Sequence, residues 1–186
     1  MTEEAIIKGC LQKKSAAQEA LYQKYSSKMM AVCYRYAKSK EDAEDMLQEG
    51  FIRVFRQIHQ FLGKGSFEGW IRRIMVHASI NHLKKYKKFS DYVDVYEISG
   101  YLINEEQATA GLYNRDIIEC IRSLPIGYRT VLNLFAIEGY SHKEIASMLE
   151  IEESTSRSQY TRARSILEKK LISKNIITPA PQMLRS

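Results

Sequence analysis

Residues 141–171 open with Ser141-His-Lys-Glu144-Ile-Ala-Ser-Met-Leu-Glu150 and run, past Ile151-Glu152, into Ser154-Thr-Ser156-Arg157-Ser158-Gln159-Tyr-Thr-Arg162-Ala-Arg164-Ser-Ile-Leu167. Ser141 with Glu144 three residues on is a capping box, so a short helix is predicted to start there and to run through Glu150. A brief turn leads to a longer helix from about Ser154 to Leu171, which makes the pair a helix-turn-helix pattern. Ile145, Ala146 and Leu149 are spaced to pack on Ile151, Tyr160, Ala163 and Leu167. The second helix then presents Arg157, Gln159, Arg162 and Arg164 as candidate DNA contacts. Arginine's planar fork grips guanine edges or phosphates with two prongs, and glutamine pairs with adenine. Taken alone, the stretch suggests DNA binding, and the alternative reading is a helical hairpin with a solvated basic face.

Working outward, helical periodicity continues almost everywhere, with three prolines in 186 residues and turn signals confined to short joints. The prediction is an all-α chain of two small helical domains joined by a linker, the second containing the helix-turn-helix. Helices are expected near 3–11, from about 16 to 37 with Ser15 and Gln18 as a capping box, and from a Ser39 cap to about Gln60. In the third, Ala43, Leu47, Phe51, Val54, Phe55 and Ile58 share an inward stripe, while Asp45, Gln48, Glu49, Ile52 and Arg56 lie opposite. A loop, Phe61-Leu-Gly-Lys64-Gly-Ser66, precedes a fourth helix from Phe67. There Trp70, Ile71, Ile74, Met75 and Ala78 read as core, and Arg73, His77, Asn81, Lys84 and Lys88 as another face. From about Phe89 to Gly111 the pattern decays, which marks a linker. Helices resume near Leu112, break at Ser123-Leu-Pro125 and stop at Gly139.

The net charge of +6, from 28 Lys and Arg against 22 Asp and Glu, is unevenly placed. Arg72, Arg73, Lys84, Lys85, Lys87 and Lys88 form a basic segment with no acid in it, the footprint of a polyanion binder. Glu41, Asp42, Glu44, Asp45 and Glu49 form an acidic block suited to a basic partner. Cys10, Cys33 and Cys120 have no paired spacing, so buried thiols in a reducing compartment are expected. No apolar run reaches the roughly 18 residues of a membrane span, and the N-terminus is acidic, so a cytoplasmic protein with no direct membrane insertion is expected. The four histidines are widely scattered, and no phosphate loop, carboxylate pair or activated nucleophile stands out. No enzyme activity, cofactor or metal is therefore predicted.

Three stretches, in order, carry a family resemblance. Asp45-Met-Leu-Gln48-Glu49-Gly50-Phe51 with Ile52-Arg-Val-Phe55 resembles the polymerase-binding helix of bacterial sigma factors. Gly69-Trp70-Ile-Arg-Arg-Ile74 with Asn81-His-Leu-Lys84 resembles their promoter-melting helix, and the helix-turn-helix is similar to their last domain. The short linker in place of a middle domain points to the extracytoplasmic-function group. The resemblance implies a sigma region 2 domain over residues 1–90, a linker over 91–112, a region 4 domain over 113–175 and a flexible tail over 176–186. It implies core RNA polymerase and promoter DNA, duplex and single-stranded, as partners, with an anti-sigma factor as a further candidate. Asp45, Gln48, Glu49, Ile52 and Arg56 would meet polymerase. Lys64, Phe67, Arg73, His77, Asn81 and Lys84 would meet the minus-ten element, with Phe67 preferred to Trp70 for stacking. Ser156, Arg157, Ser158, Gln159, Arg162 and Arg164 would meet the minus-thirty-five element. Three departures from the family's pattern are His77 for a common Asn, Glu150 for a common turn glycine, and Glu152 for a small capping residue.

Overall fold

A computed structural model describes residues 1–90 and 112–178, and every regular element among them is helical. The chain divides into two compact units, Met1–Glu97 and Ile98–Ser186. Most of the expected linker, residues 91–111, and residues 179–186 of the expected tail lie outside the described residues.

The first unit contains α1 (Glu3–Leu11), α2 (Ser15–Tyr36), α3 (Lys40–Gln57), a 3₁₀ turn (Ile58–Gln60) and α4 (Phe67–Ser90). Thr2 caps α1 and Ser39 caps α3, each hydroxyl accepting from a backbone N–H three residues on. The proposed Ser15 box does not form: Ser15 is already helical, and Lys14 stands at the cap position without a side-chain bond. Three long helices pack pairwise because each has one apolar stripe that water cannot satisfy. Leu21, Tyr25, Met29, Val32 and Cys33 of α2 meet Ala43, Met46, Leu47, Phe51 and Val54 of α3, and Phe67, Ile71, Met75 and Ala78 of α4, as the buried core. Gly50 lets α3 approach α4 closely, since a Cβ there would lie 2.1 Å from Met75 Sδ. Phe55, expected inside, is only half-buried. Burial raises the Cys33 thiol to about 11, so that sulfur stays a protonated core group.

The second unit contains α5 (Leu112–Arg122), α6 (Ile126–Leu132) running into a π-helical turn (Asn133–Ile137), α7 (His142–Leu149) and α8 (Glu153–Ser173). Pro125 breaks the chain between α5 and α6 where its ring cannot continue a helix. The π turn closes with Glu138 N–H donating to Asn133 C=O, and Gly139 at φ +79° ends it. Ile121, Leu124, Leu132 and Ala163 form the core, with Ile117, Tyr128, Tyr160, Ile166 and Leu167 packed against it. Thus α8 is the spine of this unit, touching α5, α6 and α7.

Candidate functional site

On α3, about 100° of rotation per residue puts Asp45, Gln48, Ile52 and Arg56 opposite the buried stripe, and all four are exposed. Ile52, at 49% exposure, is an apolar side chain in the middle of a polar face. The acidic block around it serves two purposes. Asp42 donates its N–H to the Ser39 hydroxyl, accepts from Lys38 N–H at 2.8 Å, and holds the His82 Nε2 of α4 at 2.6 Å. Glu49, at the edge of the face, accepts from Lys85 Nζ at 2.9 Å, while His82 Nδ1 and Arg53 each stand 3.8 Å away. Burial works to raise the Glu49 carboxyl, but Lys85, His82 and Arg53 outweigh it and hold it below its ordinary value.

On α4, Ser66 caps the first turn by accepting from Gly69 N–H at 3.2 Å. Before it, Gly63 and Gly65 take φ +70° and +86°, left-handed geometry that lets the loop expose Leu62 and Lys64. Two aromatic assignments reverse. Phe67 is 2% exposed, against Tyr25 edge-on and Phe61, because it falls one and two turns before Ile71 and Met75 on the core stripe. It cannot present a face to a base. Trp70, expected inside, is half-buried and stacks on Phe67 at 5.7 Å with an 11° interplanar angle. Its spacing of seven to His77 and eleven to Asn81 sets it on their exposed stripe, beside Arg73 and half-buried Lys84; Ile74, also expected inside, is half-buried at that border. Loss of hydration, then the Arg53 charge, lower the pKa of His77, which keeps its ring neutral further into the acid range.

On α7 and α8, the Ser141–Glu144 capping box forms in both directions. Glu150 occupies φ +57°, ψ +46°, so the turn keeps left-handed geometry with glutamate where glycine would be unstrained. Glu152 is the cap residue of α8 but makes no side-chain cap bond. Ser156 is wholly buried and its hydroxyl meets His142 Nδ1 at 2.9 Å, so it joins the two helices and is out of reach of DNA. Its place seven residues before buried Ala163 is the signal that marks it as inward. Phe135 stacks on His142 at 4.3 Å, and burial followed by the Arg157 charge lowers the pKa of that histidine. Gln159 is half-buried beside Gly127 of α6. Arg157, Ser158, Arg162 and Arg164 are exposed; Arg157 and Arg164 share one side of α8, while Ser158 and Arg162 lie toward the other. Arg157 is paired along the helix with Glu153.

The chain thus presents a mixed polar and apolar face on α3, a cationic face with one aromatic ring on α4, and an arginine-bearing face on α8. The family described as Sigma-70 region 2 matches residues 21–89, and that described as Sigma-70, region 4 matches residues 114–167. The chain is 28% identical over 182 residues to the ECF RNA polymerase sigma-E factor of Haemophilus influenzae, covering 92% of this chain and 96% of that relative. It is 29% identical over 164 residues to the RNA polymerase sigma-H factor of Pseudomonas aeruginosa, covering 82% and 85%. Its fold is similar to that of the sigma factor RpoE from Bartonella quintana, solved with the anti-sigma factor NepR, at a TM-score of 0.54 and 17% identity, covering 83% of this chain and 96% of that one.

Proposed function

The chain belongs to the sigma-70 family of transcription initiation factors, in its extracytoplasmic-function group, and on that premise we propose how its three outward faces divide the work. The family is non-catalytic: a sigma factor binds core RNA polymerase and directs it to promoters, while the polymerase supplies the chemistry. The α3 face of Asp45, Gln48, Ile52 and Arg56, with Glu49 at its edge, docks on polymerase. Charge steers such docking and an apolar residue at the centre of the patch anchors it.

The minus-ten element meets α4 through Trp70, Arg73, His77, Asn81 and Lys84, with Lys64 in the loop that precedes them. One observation supports this assignment above others: the only tryptophan lies half-exposed on the His77–Asn81 stripe, with its ring held rigid by buried Phe67. A ring so fixed can receive an unstacked base at little entropic cost. The minus-thirty-five element meets α8 through Arg157, Ser158, Arg162 and Arg164, with Gln159 at the margin of reach and Ser156 excluded by its burial. The corresponding domains are residues 1–90 for polymerase and minus-ten DNA, 91–112 as linker, 113–175 for upstream DNA and 176–186 as tail. The site of action is the cytoplasm, in keeping with the lack of any membrane-length apolar helix among the described residues. An anti-sigma factor is a further partner, by analogy with the Bartonella relative.

Competition for core polymerase tests the first assignment. Asp45→Lys combined with Ile52→Asp is expected to weaken core binding about tenfold or more, as removal of a central anchor and a charge does. Unchanged affinity in a folded variant contradicts the α3 face.

A further inference from the structure

Lys85 of the basic α4 segment bonds across to α3, and its partner Glu49 lies at the rim of the polymerase face. The Lys85 ammonium is 2.9 Å from the Glu49 carboxylate, and its side chain is 65% exposed, one turn beyond Asn81 and at the margin of the DNA stripe. The His82 ring, 6% exposed, bonds Asp42 at 2.6 Å and borders the Glu49 carboxylate at 3.8 Å, so the bond that joins Glu49 to α4 is the one from Lys85. The three donors of one ammonium can reach both this carboxylate and a DNA phosphate, but while Glu49 holds it the carboxylate offsets its charge and repels the phosphate, so the phosphate contact is weakened.

We propose that Lys85 is a conditional DNA contact: Glu49 sequesters it in the free chain, and docking of a polymerase cation on Glu49 releases it to a promoter phosphate. The polymerase-binding helix and the promoter-melting helix are thereby coupled through a charge exchange, with no movement of the helices required. An effector that takes one partner of a pair changes the affinity of the other by the energy of that pair. The inference rests on the reading of Glu49 as a polymerase contact.

The test measures binding of fluorescein-labelled oligothymidine to the full chain, free and as holoenzyme with core alone as the blank, across a salt series. In the free chain Lys85→Met is expected to be nearly silent, whereas in an E49Q background it weakens binding about twofold to fivefold, the range of an exposed ion pair. The E49Q chain itself binds tighter than the parent, with a log-log salt slope steeper by about 0.7, the signature of one added phosphate contact on a single strand. In holoenzyme, Lys85→Met costs about the same twofold to fivefold in the parent sequence. Equal cost of Lys85→Met in the free parent and in E49Q overturns the sequestration, and silence in holoenzyme overturns the release. A gain from E49Q that persists with Met at position 85 reassigns the effect to general charge and also overturns it. Failure of the underlying reading is separate: E49Q would then compete for core as well as the parent does.

Discussion

The two units fix their working helices in opposite ways. In the first, α3 and α4 are bound across their interface by polar side chains, Asp42 to His82 and Glu49 to Lys85, so the acidic block and the basic segment partly satisfy each other. In the second, the reading face of α8 pairs along the helix, Arg157 with Glu153, the helix is tied to α7 by a buried bond between Ser156 and His142, and an exposed pair at its far end joins Lys174 to Glu119 of α5. Exposed pairs within a helix contribute a few tenths of a kcal/mol, whereas pairs that join elements bias their relative placement. The first unit is therefore suited to transmit an event on one face to another, and the second to present a rigid reading surface.

That contrast can be broken by substitution. The largest effect is expected from Phe67→Ala, which removes the ring beneath Trp70: about 3–5 kcal/mol of stability should go from the first unit, seen as a lower urea midpoint for its transition while that of the second unit is unmoved. Equal loss in both units would mean that they do not fold separately. Trp70→Ala should leave the fold intact and cost promoter opening about 1–3 kcal/mol, the worth of one base stacked on an aromatic ring, read from 2-aminopurine fluorescence in the melted region. Arg157→Ala should cost about 1–3 kcal/mol at the upstream element only, read by footprinting, with opening of an extended minus-ten template unaffected.

Ser156→Ala sharpens the same line from the other side. It should lower the stability of the second unit by about 1 kcal/mol through loss of one buried hydrogen bond, and leave the pattern of upstream base contacts unchanged. The smallest effect is a pH dependence. His142 takes up a proton less readily in its buried place than in the unfolded chain, so its contribution is complete above the ordinary histidine value of about 6.5 and declines as pH falls below it. The urea midpoint of the second unit should drop between neutral and mildly acidic pH, and His142→Asn should flatten that drop.

Much of this was legible in the residues. The apolar stripes of α3 and α4 and the Ser141–Glu144 box are local patterns, set by helical spacing and capping chemistry; the box forms as written, and the stripes form except that Phe55, Trp70 and Ile74 are half-buried and Phe67 joins the core. Position within a stripe was readable too, but residue type misled: phenylalanine beside a loop suggested a stacking ring, and tryptophan among isoleucines suggested core. Counting turns from Ile71 and Met75 places Phe67 inside, and counting from His77 and Asn81 places Trp70 at the surface. Ser156 yields to the same count from Ala163. What no local pattern carries is the contact between residues 40 apart, Asp42 with His82, or 36 apart, Glu49 with Lys85. Those depend on how α3 crosses α4, which the close approach at Gly50 decides. An acidic block read along the chain therefore looks like a single surface when two of its five acids, Asp42 and Glu49, meet a neighbouring helix.

Run-off transcription from genomic promoter fragments, with core polymerase and this chain supplied separately and together, tests the central assignment most directly. Transcripts of defined start that require both components are the predicted result. No transcript from any fragment, or stable sequence-specific promoter binding by the chain without core, would contradict it.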